Sequence, residues 1–409
     1  MQPSTPSDRP NPQQTRRQFL AAAAGTATTT GLAGCNGDSD YDRAAGVAAR
    51  TVDWPTVGHG YAHTSYAPEE AGPTADPEVV WQHDIGIARG HPVIVEDYVV
   101  APVGDGLTAY SLQDGEEQWT YTAEDDAWTT PTVVDGRVFV ASGHGGLHVL
   151  DLESGDRLLE IPLPGYVSAP PTPDRRNRHL FVATDQGTIY AFPLELGEAV
   201  WSKDLFGQFR AAVSPTPYGL FAATTGGEVY CLDPEDGRGR WRQKLPGTIN
   251  AAPAALKGDV YVPCQDGSIY HLRGERAGGI EWQSDRGGFA RGALAIAGGT
   301  VFGGHGHDVV ALDADDGTEE WSADVGGQAG AALAVAGDTL YAGGFGGELH
   351  AFELDGPDGI GPLQFGGRKW SKSVPGGCGE GAAVANGTLV TLGEGGEEVS
   401  SKIVAYREP

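Results

Sequence analysis

Lysine is nearly missing from this chain: 6 Lys stand beside 21 Arg in 409 residues. Basic residues of both kinds number 27 against 55 acidic ones, for a net charge of −28. That field repels polyanions, so nucleic acid and anionic membrane surfaces are excluded as broad partners. Acid excess with scarce lysine is similar to the proteins of salt-loving archaea, a statement about habitat rather than chemistry. Cysteine is equally sparse. Four residues, Cys35, Cys231, Cys264 and Cys378, with no C-x-x-C spacing, exclude a disulfide scaffold and a paired-thiol metal or redox motif. Cys231, Cys264 and Cys378 read as buried thiols, with a Cys231–Cys264 bridge the open alternative. No stretch sustains a helical period, so almost no helix is expected, and no apolar run reaches membrane-spanning length. Nucleophile–base pairings, phosphate loops and zinc spacings are absent from the sequence pattern as well.

What the first 50 residues do contain is an address. Arg16-Arg17 precedes an Ala- and Thr-rich stretch from Phe19 to Gly34, which ends in Leu32-Ala33-Gly34-Cys35. The order is similar to a twin-arginine export signal followed by a lipobox, whose small residues admit a peptidase and whose Cys35 thiol takes the lipid. Residues 1–35 are therefore expected to be a signal and 36–52 a flexible tether. Residues 53–409 form the folded domain. The expected location is the outer face of the cytoplasmic membrane, held there through the lipid alone.

Glycine is abundant, with 63 residues, many between short apolar runs. From Trp81 onward one unit recurs: three short strands, a turn rich in Asp and Gly, then a strand opening on tryptophan. The anchors are Trp81, Trp119, Leu159, Trp201, Trp241, Trp282, Trp321 and Trp370, at intervals of 38 to 49 residues and mostly near 40. A step of ~40 residues is the period of a propeller blade. In the second unit the strands read as Trp128–Val134, Arg137–Ser142, Leu147–Leu152 and Arg157–Pro162. A single four-stranded sheet cannot cover both its faces, so the units must stack, and one indole per repeat can wedge between neighbours. Leu159 breaks the series, which predicts a weaker contact there. The long interval before Trp370 holds Gly356 to Gly367, an extended hairpin in blade seven.

The chain ends supply the closure. The last unit provides only Ala382–Val384, Thr388–Leu392 and Lys402–Tyr406, while Glu78–Ile85 carries Trp81 without strands of its own before it. Joined, they complete an eighth blade and remove an exposed edge. The expected fold is all-β: an eight-bladed β-propeller of four-stranded antiparallel blades, closed by an N-terminal strand completing the last blade.

The repeat Ala-x-Asp-x-x-x-Gly-x-x-x-Trp, as in Ala311-Leu312-Asp313 through Gly317 to Trp321, resembles the pyrroloquinoline-quinone-like propeller family. Leu232-Asp233 through Gly237 to Trp241 is a second instance, and Trp54-Pro55-Thr56-Val57-Gly58-His59-Gly60 is similar to the lead-in many members carry. The resemblance implies one of two roles. Quinone-dependent dehydrogenases hold the cofactor against a disulfide of adjacent cysteines, with a Glu-Asn-Asp calcium site and an Asp base. No Cys-Cys pair exists here and no such cluster is identifiable, so no catalytic or metal residue is carried over. Non-catalytic members, such as the lipoprotein of the bacterial outer-membrane assembly machinery, use the blades as a docking platform. An archaeal envelope would need a different client.

Aligning the blades places Arg89, Trp128, Val167, Arg210, Asn250 and Arg291 at nearly equivalent positions where inner strands begin, at one mouth of the central channel. Three arginines converging in so acidic a chain suggest an anion-binding mouth with guanidinium forks and Trp128 as a stacking wall. The plainer reading, which is preferred, pairs them with acids that plug the channel. A register slip of one residue would turn these side chains away. His144, His305 and His307 read as turn residues rather than metal ligands, and Arg175, Arg176 and Arg178 as a solvated hairpin tip. The functional expectation is a monomeric binding or scaffold protein whose partner is an envelope protein or a small anionic ligand. No cofactor is expected; pyrroloquinoline quinone belongs to the alternative, a quinone- or metal-dependent oxidoreductase using the central channel.

Overall fold

The computed structural model describes residues 53–86, 90–122, 128–143, 146–286, 293–344, 347–356, 358–360, 363–365, 367–374, 378, 381–393 and 401–409, with backbone only at 275, 330–332, 358–360 and 363–365. The signal, tether and Cys35 lie outside these residues, as do Arg89, His144 and Arg291.

Eight blades of four antiparallel strands follow one another along the chain, seven as simple meanders and the last with its outer strand drawn from Glu78–Ile85; the seventh gains a fifth, parallel strand. Blade two shows the local logic. Its strands are Thr132–Val134, Arg137–Ser142, Gly146–Asp151 and Arg157–Ile161, and the three inner ones are β-branched or apolar and buried almost throughout. Burial on both faces follows from stacking between two neighbours. The outer strand is exposed at alternate positions because it rims the ring. Trp128 precedes the innermost strand and contributes only an isolated bridge to Ser142. The sole helical element among the described residues is one 3-10 turn, Gly274–Arg276. In blade seven the insertion forms a small hairpin of Asp358–Ile360 and Leu363–Phe365.

Closure takes the expected form. Glu78–Ile85 pairs antiparallel with Ser401–Arg407, from Glu78↔Arg407 to Ile85↔Ser401. Thr388–Gly393 and Gly381–Ala385 complete that sheet. The Glu408 carboxylate then accepts hydrogen bonds from the backbone N–H groups of Thr74 and Ala75, fastening one terminus of the ring to the other.

Blade contacts are made by the tryptophans in a repeated way. A register shift just before the indole in six blades, and before Leu159 in a seventh, leaves one residue unpaired, for instance Gln118 before Trp119 and Val80 before Trp81. Such a bulge re-aims the next side chain, here toward the following blade. There the indole lies against a turn glycine: Trp81 on Gly115, Trp119 on Gly155, Trp282 on Gly317, Trp321 on Gly356. Trp201 and Trp241 meet Gly237 and Gly278 in the same fashion. The indole N–H donates to a carbonyl of that turn, as from Trp81 to Leu112, Trp119 to Leu152, Trp201 to Pro234 and Trp282 to Ala314. Trp370 donates instead to Pro73, in the segment that leads into the closing strand.

The lead-in residues 53–70 occupy the channel itself. Trp54 exchanges two backbone hydrogen bonds with Ile94 of blade one, and the Pro55, Ala62, Thr64 and Ser65 carbonyls accept from inner strands of blades two, five, six and seven. Tyr66–Ala67 runs parallel to Ala329–Ala336 of blade seven as a fifth strand. Glu70 reaches blade eight, where its carboxylate accepts from the Asn386 N–H. Asp53, which receives the Glu96 N–H, and Glu70 are both at the end bearing the hairpin turns between first and second strands. The segment therefore enters from that end, turns back within the channel, and leaves as it entered.

Candidate ligand-binding cup

At the opposite end the channel is open, and the plug leaves a blind cavity of about 230 Å³. Val57, near the turn of the lead-in, is its floor and packs on Ala211, Ala212 and Ala252. Small side chains at the starts of inner strands leave the space. Around it stand Gly90 and His91 of blade one, Trp128, Thr129 and Thr130 of blade two, and Ser168 of blade three. Arg210 of blade four and Asn250 of blade five complete the polar wall.

Three of the aligned mouth residues, Trp128, Arg210 and Asn250, thus share one cavity. Arg89 and Arg291 lie outside the described residues. Val167 departs from the expectation: it is buried in the core between blades two and three, and Ser168 lines the cup in its place. A one-residue offset in that blade is the cause. Trp128 is itself largely buried. Its N–H donates to the Asp105 carbonyl at 2.9 Å and its ring meets Tyr121 and His148 edge-on, so it is a fixed wall rather than a mobile flap.

The electrostatics of the cup invert those of the whole molecule. Among the described residues no lining side chain is Asp or Glu. Arg210 is exposed to the cavity and makes no ion pair among the described residues, whereas other arginines are engaged. Arg242, for example, forks onto the buried Glu228 carboxylate at 2.7 and 2.9 Å and holds it below the usual carboxylate range. The tip arginines are also occupied: Arg175 bonds Asp135 of blade two and Arg178 bonds Glu195. His91 is pushed down to about 4 by its removal from bulk water, which keeps the imidazole neutral at pH 7. His91, Thr129, Thr130 and Ser168 escaped the sequence reading because it marked one residue per blade. The lead-in floor left no periodic signal at all.

Cysteine chemistry does not contribute. Cys231, Cys264 and Cys378 are free and buried, and desolvation drives the Cys231 and Cys378 thiols up to about 12, so they are inert. Among the described residues no three His, Cys, Asp or Glu side chains gather to hold a metal.

Comparison with known proteins agrees with this architecture. The family of outer membrane protein assembly factor BamB matches residues 73–162 and 214–390, more than half of the chain. The chain belongs to the PQQ-like propeller-repeat family. A quinohemoprotein alcohol dehydrogenase of Comamonas testosteroni is 32% identical over 136 residues, a match covering 29% of this propeller and 19% of the dehydrogenase. The fold is similar to that of BamB from Moraxella catarrhalis, with a TM-score of 0.63 and 17% identity over 81% of this chain and 100% of the other. It is also similar to the Comamonas testosteroni enzyme, with a TM-score of 0.72 and 14% identity over 90% and 83% of the two chains. A europium-containing methanol dehydrogenase gives 0.72 and 12% over 90% and 100%. These structural likenesses carry the fold alone.

The dehydrogenase branch implies a quinone held with carboxylates for a metal and a base, and the described lining supplies none. Among the described residues the cup does not fit that group.

Proposed function

We propose that this PQQ-like propeller is an exported, lipid-anchored binding protein of the cell envelope that takes small anions in the cup at its channel mouth. One observation carries the reading: in a chain of net charge −28 the described lining of the cup holds no carboxylate, and its Arg210 guanidinium has no ion-pair partner among the described residues. An unpaired Arg fork in a partly desolvated recess suits a carboxylate or oxoanion bidentately. The Asn250 amide and the threonine and serine hydroxyls add neutral hydrogen-bonding capacity. Export and anchoring rest on Arg16-Arg17 and the lipobox ending in Cys35.

Titration with sulfate and succinate at fixed ionic strength tests the cup. Saturable binding is expected, and Arg210→Ala should weaken it by about tenfold or more, in line with about 1.5–3 kcal/mol for a hydrogen bond to a charged group. Unchanged affinity in that variant would sink the reading. A parallel arm with pyrroloquinoline quinone and calcium addresses the dehydrogenase alternative, favoured by the two enzyme-like folds; a bound chromophore with dye reduction would replace our proposal. For the anchor, Cys35→Ser should move the protein from the membrane fraction into the medium.

A further inference from the structure

Two histidines that the anion-binding reading leaves unused meet at the cup. His91 is in its wall, held by a backbone hydrogen bond to Thr130 Oγ1. His63 is fully buried below the floor. Its Nδ1 is 2.8 Å from the carbonyl oxygen of Val57, the floor residue, and its Nε2 is 3.0 Å from the carbonyl of Val213 in blade four. A neutral imidazole has one N–H. Facing two carbonyl oxygens, it satisfies one and sets a ring lone pair against the other. Only the imidazolium donates to both.

Desolvation opposes that proton. Burial lowers both imidazoles, and charge on His63 further lowers His91. Among the described residues the charged or titratable side chains lining the cup are His91 and Arg210, both basic in kind. His59, further along the lead-in, packs edge-on to Trp54. The free protein thus contains a geometry that calls for a cation, and the described lining supplies no counter-charge to hold one. A bound anion brings that charge.

Resting on the anion-binding reading of the cup, we infer that anion binding takes up a proton at the His63–His91 pair, so that the cup holds small oxoanions and carboxylates more tightly in acid. Repulsion between the two rings and from Arg210 limits the uptake to one proton. The Arg210 fork then contacts the anion from the rim, while the imidazolium charge lies in the wall at His91 or, without touching the anion, beneath the floor at His63. The proton comes from solvent and returns there on release, so the device couples anion capture and discharge to the acidity outside.

Sulfate is the probe, because its charge is constant over the range. Calorimetry of the unaltered chain in two buffers of different ionisation heat should show close to one proton taken up per sulfate bound. Affinity should rise by up to about tenfold per pH unit from about pH 7.5 toward pH 5. His91→Gln with His63→Gln should flatten that profile. Sulfate binding without proton uptake and with a flat pH profile would overturn the inference and leave the anion-binding reading standing. Absence of both sulfate and succinate binding would remove the two together. The first two measurements need no variant, so they do not depend on whether a His63 substitution folds.

Discussion

Six of the clamps between blades consist of a tryptophan and a glycine, and the glycine is required twice over. Gly317 has φ +75°, and a Cβ there would come within 2.7 Å of the Trp282 indole. Gly317→Ala therefore combines left-handed backbone strain of about 1–2 kcal/mol with overpacking of about 1–3 kcal/mol, and should lower the urea midpoint accordingly. The one blade contact without an indole explains itself by the same geometry. Leu196 has φ 70° and its N–H bonds to the Pro193 carbonyl, as the Gly356 N–H bonds to Glu353 beneath Trp321. Leu196 thus occupies a glycine position and packs into the core that Leu159 also joins. Two leucines replace a tryptophan and a glycine. Leu159→Trp alone should destabilise by about 1–3 kcal/mol, and adding Leu196→Gly should restore part of the loss; a denaturant cycle giving strictly additive effects would contradict the exchange.

Among elements, the lead-in has no regular structure of its own beyond Tyr66–Ala67, yet nearly every residue from Asp53 to Ser65 is buried. Its polar groups are consequently off their ordinary pKa values. His59 is held at about 4 and His63 is lowered, both by burial. Their contribution is complete above the ordinary imidazole value of 6.5 and is lost as pH falls through the depressed folded value. Glu70 runs the other way. Desolvation raises it to about 7, so its contribution is present in acid and is lost as pH rises through 7. Glu70→Gln keeps an acceptor for the Asn386 N–H and removes the buried charge. Its melting temperature should exceed that of the parent at pH 8 and differ little at pH 5; an equal gain at both pH values would refute the assignment. The same plug makes the cup blind, so ligands enter and leave by one mouth.

Over the whole molecule, the ring is closed by strands drawn from opposite ends of the chain, which makes stability depend on both. Removing Ser401–Pro409 strips Glu78–Ile85 and Thr388–Gly393 of their shared partner and opens two edges to other chains. Loss of a single cooperative unfolding transition and concentration-dependent aggregation are expected, measured by denaturant titration and light scattering. Retention of one sharp transition would show that closure is dispensable. Such non-local pairing also forms slowly.

The blade count, the closing pair and the indole positions were legible because they are periodic: a step near 40 residues and a missing strand at each end are features of the chain taken alone. Trp128, Arg210 and Asn250 could be aligned for the same reason, since each blade repeats the same inner-strand start. Val167 slipped because loop lengths between blades differ by a residue, and one residue reverses a side chain. The lead-in's path, the His63 carbonyl pair and the Leu159–Leu196 exchange were not legible. Each joins groups far apart in sequence with no recurring spacing, and their meeting exists only once the ring has closed around the channel.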